Sequence, residues 1–75
     1  MLNKYLIIKI DGLEMPILLP SAVSHNSIID KKRIVSAGFY TLKNGTYKCL
    51  GRSDSLDIDS RKEDSDLLNV FFRED

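Results

Sequence analysis

The sequence of 75 residues contains no tryptophan, one cysteine, one histidine and two prolines. A single cysteine cannot form an internal disulfide, and this usage is compatible with a reducing compartment. One histidine, one cysteine and scattered carboxylates do not supply a zinc site, and the carboxylates lack the spacing of an EF-hand loop. The chain also has no phosphate-binding glycine loop and no nucleophile elbow. We therefore expect no metal, no cofactor and no enzyme activity.

Long apolar runs are absent as well. No segment approaches the roughly 18 apolar residues of a membrane span. The apolar run at residues 6–8 is interrupted by Lys9 and Asp11, so it is too short for the core of a secretory signal. We expect a cytoplasmic protein that has no membrane partner.

The composition is that of a globular domain, with 43% hydrophobic and 29% charged residues. A chain of this size buries only about 60% of its unfolded surface, and a second copy often supplies the missing burial. The net charge is zero, but residues 1–50 are basic and residues 51–75 are acidic. This asymmetry is compatible with head-to-tail self-association or a charged partner, and the alternative is two solvated surfaces of unlike sign.

The dipeptide Asn44-Gly45 predicts a β-hairpin over residues 34–58. A type I′ turn needs positive φ at both central residues, which Asn-Gly supplies, and β-branched and aromatic residues flank the turn. The two-residue turn sets a register of four cross-strand pairs: Lys43 with Thr46, Leu42 with Tyr47, Tyr40 with Cys49, and Phe39 with Leu50. Leu56 and Ile58 then alternate with aspartates, which predicts a short last strand or the same strand resumed after a kink.

A first hairpin is predicted over residues 3–19, with its turn at Asp11-Gly12. Its register places six apolar residues on one face: Leu6, Ile8, Ile10, Leu13, Met15 and Ile17. Tyr5, Ile7 and Leu18 lie on the other face, where they pack under the C-terminal segment or form part of a contact surface. Residues 20–33 form a polar crossover, in which Ser24 is positioned to cap a helical turn over residues 25–29.

The C-terminal segment predicts a helix over residues 61–72. Ser60 and Glu63 have the spacing of a capping box, and an apolar stripe follows at Leu67, Val70 and Phe71. The competing interpretation is a strand through this segment. The whole chain then forms a single α+β domain, with a mainly antiparallel sheet of four or five strands and one C-terminal helix.

The candidate partner-binding site consists of polar residues expected near the base of the central hairpin, namely His25, Ser36, Arg52, Ser53 and Asp54. Small residues beside a guanidinium can form a shallow recognition notch. The alternative is a bulge whose serine and aspartate side chains satisfy their own backbone. A nucleophilic pair of His25 with Cys49 is disfavoured, because Cys49 lies in the middle of an apolar strand.

A second candidate surface is basic and would bind nucleic acid. It consists of the cations of the crossover and the central hairpin, namely Lys31, Lys32, Arg33, Lys43 and Lys48. Phe39, Tyr40 and Tyr47 could stack on bases. Against this function, the chain is neutral overall and its acidic half would repel phosphate.

Several short motifs carry a family resemblance: His25, Val35-Ser36-Ala37-Gly38-Phe39, Gly51-Arg52-Ser53-Asp54-Ser55-Leu56 and Arg61-Lys62-Glu63-Asp64. With these motifs the chain resembles a family of small uncharacterised proteins encoded by bacterial phages and prophages. Asp54 departs from the pattern, which has a small or apolar residue there. The resemblance spans roughly residues 5–70 and implies a protein of a mobile element, located in the cytoplasm of a bacterial host.

Together these observations predict a non-enzymatic protein-binding module, an accessory or regulatory protein that acts as a homodimer. Its expected partners are a second copy of itself and a host or phage protein. Nucleic-acid binding through Lys31–Arg33 and the hairpin aromatics is the alternative.

Overall fold

A computed structural model describes residues 3–25 and 30–72. Within them the chain forms an α+β fold, as predicted, with a four-stranded antiparallel sheet, a two-stranded sheet and one C-terminal helix. The elements are β1 (Asn3–Ile10), β2 (Leu13–Leu19), a 3-10 helix (Lys31–Arg33), β3 (Ile34–Lys43), β4 (Thr46–Leu50), β5 (Arg52–Ser53), β6 (Ile58–Asp59) and α1 (Glu63–Phe71). The larger sheet has the order β2-β1-β3-β4, and β5 pairs with β6.

The first predicted hairpin and the registers of both hairpins are confirmed. The second hairpin, predicted over residues 34–58, ends at Leu50, and Arg52–Ser53 pairs with Ile58–Asp59 in the separate two-stranded sheet. Asp11-Gly12 and Asn44-Gly45 have positive φ angles, as two-residue type I′ turns require. The first hairpin joins the second through β1 and β3, whose register shifts between Ile7 and Ile8. Turn chemistry thus fixes each hairpin locally, and the pairing of β1 with β3 joins the two.

The sheet has two covered faces, which we name after what covers them. On the loop face, Leu6, Ile8 and Ala37 are buried in one cluster with Leu56 of the segment between β5 and β6. On the helix face, Tyr5 and Ile7 are buried with Leu68 of α1. The prediction that Tyr5, Ile7 and Leu18 pack under the C-terminal segment is therefore confirmed.

The C-terminal segment is a helix, so the competing strand is wrong, but it begins at Glu63 without the predicted capping box. The Ser60 hydroxyl donates to the Gly51 carbonyl oxygen at 2.6 Å, because the turn at Gly51 (φ +77°) brings that acceptor to it. The Asp64 carboxylate accepts from the Arg61 backbone N–H at 2.9 Å instead. Of the helical turn predicted over residues 25–29, residues 26–29 lie outside the described part of the chain.

Polar side chains of α1 hold the helix against the outer side of β4. The Asn69 amide accepts from the Tyr47 backbone N–H at 2.7 Å and donates to the Tyr47 carbonyl oxygen at 3.0 Å. The Ser65 hydroxyl accepts from the Cys49 backbone N–H at 2.8 Å. These bonds satisfy backbone groups of β4 that point away from β3. They also fix the position of α1 across the sheet.

Candidate functional site

Three apolar side chains at the end of the first hairpin remain in contact with solvent. On the loop face, Leu13 is 60% exposed, Ile10 38% and Met15 36%, and we call these residues the hairpin-1 patch. They are neighbours because Ile10 pairs with Leu13 and Ile8 pairs with Met15. Leu56 covers the same face further along the hairpin, where the apolar residues are buried. A contiguous apolar surface of this kind is typical of an interaction site.

Three consecutive cations border this patch. Lys31, Lys32 and Arg33 form the 3-10 helix that precedes β3, and all three are exposed. The helix packs beside β1, and because Ile34 pairs with Ile8, the residues before Ile34 lie alongside Ile10. Asp30 caps the helix by accepting from the Lys32 backbone N–H at 3.2 Å. The patch therefore has a basic border on its β3 side.

The opposite face of the sheet carries a second apolar surface, with acidic borders. A groove of about 290 Å³ is lined by Glu14 of β2 and by Glu63, Asp66, Leu67 and Val70 of α1. Val70 is 71% exposed, and Leu67 is half-buried. We call this the α1 groove.

Beneath α1, a buried polar network joins the helix to the first hairpin. The fully buried Asp64 carboxylate accepts from the Tyr5 hydroxyl at 2.6 Å and from Arg61 Nε at 3.0 Å. Arg61 also donates to the Glu14 carboxylate, at 2.8 Å from Nη2 and 3.3 Å from Nη1. Such charge-assisted bonds compensate for the removal of the Asp64 carboxylate from water.

The pKa shifts of the network residues and of Cys49 indicate that these groups have a structural role. Burial, followed by the hydrogen bond to Asp64, raises the pKa of Tyr5 above its ordinary value. Burial also raises the pKa of the Cys49 thiol to about 11, so the thiol is protonated near neutral pH and is a poor nucleophile. The bond to Glu14 raises the pKa of Arg61, and the bond to Arg61 lowers that of Glu14, so both stay charged.

The residues of the predicted polar notch do not form one surface. His25, Ser36 and Ser53 are buried, whereas Arg52 and Asp54 are exposed. His25 Nε2 donates to the Gly38 carbonyl oxygen at 2.9 Å, and its ring packs edge-on against Phe39 at 5.7 Å between centroids. Ser36 pairs with Ile7, which places it on the helix face, away from the β5–β6 segment on the loop face.

Arg52 is surrounded by carboxylates of its own segment. Its guanidinium pairs with Asp57, and its Nε lies 3.5 Å from Asp54 and 3.4 Å from Asp59. The hydrogen bond to Asp57 raises the pKa of Arg52. The positive charge is thus already paired within the segment, which leaves little of it for an outside partner.

The predicted basic surface is divided between the two ends of β3. Arg33 precedes the strand and Lys43 ends it, so a strand of 10 residues, roughly 30 Å, separates them. The aromatic rings are divided as well. Phe39 contacts His25, whereas Tyr40 and Tyr47 pack with the helix-face cluster.

The second hairpin carries a separate aromatic cleft of about 540 Å³, lined by Asn3, Tyr40, Thr41, Leu42, Lys43 and Tyr47. The Tyr40 and Tyr47 rings lie 5.6 Å apart between centroids, and Tyr47 also packs against Phe72 of the C-terminal segment. Both tyrosines are half-buried, so each ring keeps an accessible portion. A planar group could stack there beside the Lys43 ammonium.

Sequence reasoning placed the residues of the hairpin-1 patch on one face of the hairpin but did not single them out as a candidate site. It did not identify the α1 groove. The signal for the groove was present in the alternation of Glu63 and Asp66 with Leu67 and Val70, but the face of α1 that stays uncovered depends on how the helix lies on the sheet.

Comparisons with known proteins add no relative: no family model, curated protein or solved structure matches the chain. In residues 3–25 and 30–72, no three histidine, cysteine, aspartate or glutamate side chains are grouped so that they could hold a metal ion. Within the same ranges, no helix has the length and apolar character needed to cross a membrane.

Proposed function

We propose that this chain is a non-enzymatic protein-binding module that engages its partner through the hairpin-1 patch. The observation that carries the proposal is the exposure of three neighbouring apolar side chains, Ile10, Leu13 and Met15, at the end of a rigid hairpin. Because Leu13 is 60% exposed, burying the remainder of its side chain against a partner would contribute about 1–2 kcal/mol. The family resemblance suggests an accessory or regulatory protein of a phage or prophage.

The ionisable groups support binding over catalysis. On the sheet face opposite the patch, buried Asp64 accepts from buried Tyr5 and from half-buried Arg61 beneath α1, where these bonds hold the helix in place. The patch itself combines an apolar centre with a cationic border, which favours a partner surface that is apolar and acidic.

A photo-reactive amino acid at position 13 tests this function in cells. We expect it to cross-link to a protein, whereas the same group at Thr46, an exposed position on the second hairpin, serves as the matched control. Substitution of Met15 by aspartate in the same chain should abolish the cross-link. Cross-linking from position 13 no stronger than from position 46 would overturn the proposal.

A second candidate function, binding of single-stranded nucleic acid, is favoured by the aromatic cleft. Tyr40, Tyr47 and Lys43 provide stacking rings and a cation in one place. Replacing Lys43 by alanine should then weaken the salt-dependent retention of a mixed-sequence oligonucleotide. Replacing Lys31, Lys32 and Arg33 together should leave retention through the cleft almost unchanged, because these residues lie at the other end of β3. Retention that depends only on Lys31–Arg33 would exclude the cleft as the site.

A further inference from the structure

We propose that the hairpin-1 patch of one copy binds in the α1 groove of a second copy, so that copies of this chain associate head to tail. This inference rests on the proposed function, because it names the partner of the same patch. It follows from the shape, the charge and the placement of the two surfaces.

The two surfaces are complementary in apolar character. The patch presents Leu13, Ile10 and Met15 as projecting side chains, and the α1 groove presents Leu67 and Val70 in a concave surface. The groove volume of about 290 Å³ is roughly twice that of a ~150 Å³ cavity that holds benzene. It is therefore large enough to receive aliphatic side chains of the patch.

The charges distinguish this arrangement from the alternatives. The patch is bordered by Lys31, Lys32 and Arg33, and the α1 groove by Glu63 and Asp66. Contact of patch with patch would bring six cations together against four carboxylates, those of Asp11 and Asp30 in each copy, and contact of groove with groove would bring carboxylates together. Contact of patch with groove places cations beside carboxylates, which is the favourable combination. Among the described residues, none forms an ion pair with any of these five charged side chains, so the charges are available to a partner.

The placement of the surfaces determines the symmetry. The patch lies on the loop face and the groove on the helix face, which are opposite sides of the same sheet. One copy can then use its patch on one neighbour and its groove on another. Such a heterologous contact continues into an open chain or closes into a ring. It goes beyond the homodimer predicted from the sequence and agrees with the head-to-tail self-association that the charge asymmetry allows.

Two variants, each lacking one surface, test this arrangement. Leu13→Glu puts an acidic group into the patch, and Val70→Lys puts a cation into the groove. Both positions are exposed, so circular dichroism and thermal unfolding should show native folding. Leu50→Glu, at a third exposed apolar position on the second hairpin and outside both surfaces, is the matched control.

We expect sedimentation of the wild-type chain to show a mass that rises with protein concentration and falls with added salt. Leu13→Glu and Val70→Lys should each weaken self-association at least about tenfold, the effect of losing one buried anchor. The control variant should associate like the wild type. An equimolar mixture of the two weakened variants should associate again, because the unchanged patch of Val70→Lys can bind the unchanged groove of Leu13→Glu.

Other outcomes separate this inference from the proposed function. A monomeric wild type, or a mixture that stays monomeric, overturns the head-to-tail contact. If position 13 nevertheless cross-links to a different protein in cells, the patch remains a protein-binding surface and only the identity of its partner is wrong. If neither self-association nor cross-linking occurs, both proposals fail.

Discussion

Arg61 and Arg52 each lie among carboxylates, but they connect very different parts of the chain. Arg61 bonds to Glu14, 47 residues away in sequence, and to the fully buried Asp64. Within residues 3–25 and 30–72, the ion-pair partners of Arg52 are exposed aspartates no more than seven residues from it. Arg61 therefore joins α1 to the first hairpin, whereas Arg52 organises one short segment. The comparison shows that burial and sequence separation, more than the number of ion pairs, decide what a charge cluster does for a fold.

The largest effect is expected where the buried cluster loses its central carboxylate. Asp64→Ala leaves the Tyr5 hydroxyl and the Arg61 guanidinium without their shared acceptor. It should lower the free energy of unfolding by about 3–5 kcal/mol. Urea unfolding followed by circular dichroism measures the loss, and Asp54→Ala in the exposed cluster is the matched control. Equal effects of the two substitutions would remove the distinction between the clusters.

A smaller effect is expected from Tyr5→Phe, which removes one donor to Asp64 and keeps the ring in the helix-face cluster. The carboxylate retains its bonds from Arg61, so the expected loss is about 1–3 kcal/mol in the free energy of unfolding. The same urea titration measures it. A loss as large as that of Asp64→Ala would mean that the Tyr5 bond, rather than the whole network, holds α1 in place.

Tyr5 and Cys49 should make the free energy of unfolding sensitive to alkaline pH. Burial raises the pKa of Cys49 from 9.0 to about 11 and raises that of Tyr5 from 10.0. Since the unfolded chain releases these protons at lower pH than the folded chain does, the stabilisation is present below pH 9 and is lost as pH rises above it. Unfolding midpoints measured across pH 9 to 11 should fall steadily, and less steeply in a Tyr5→Phe, Cys49→Ala double variant. A fall of equal slope in both proteins would assign the effect to other groups.

The smallest effect is expected at the exposed cluster. Arg52→Ala should leave the thermal midpoint close to that of the wild type, because water and salt already screen its ion pairs. Added salt should reduce even this difference. A clear drop in the midpoint that survives high salt would show that the Arg52 cluster supports the β5–β6 segment more than its exposure suggests.

Both hairpins could be predicted because their information is local. Asp11-Gly12 and Asn44-Gly45 set the turns, and a two-residue turn leaves only one register for the flanking strands. The helix itself was predicted, but its buried face was not: Val70 and Phe71 of the predicted apolar stripe are exposed, and Leu68 is the residue buried against the sheet. The predicted capping box at the start of the helix was wrong. The Ser60 hydroxyl donates to the carbonyl oxygen of Gly51, nine residues upstream.

The buried network and the candidate binding surfaces could not be predicted from local sequence. Asp64 and Tyr5 are separated by 59 residues, and only the placement of α1 on the sheet brings them together. The hairpin-1 patch is exposed because the segment containing Leu56 covers a different part of the loop face. Residue type shows that an apolar side chain prefers burial, but which one stays uncovered is a property of the whole fold.

The amide of Asn69 has a consequence for how copies of this protein can meet. By bonding to both backbone groups of Tyr47, it occupies the side of β4 that another strand would otherwise use as a template. At the other border of the sheet, β2 carries Pro16, which has no N–H to offer a joining strand. Growth of the sheet from molecule to molecule, the route to amyloid-like fibres, is therefore opposed at both borders. The proposed head-to-tail contact would use side chains on the two faces instead, where charge can select the partner.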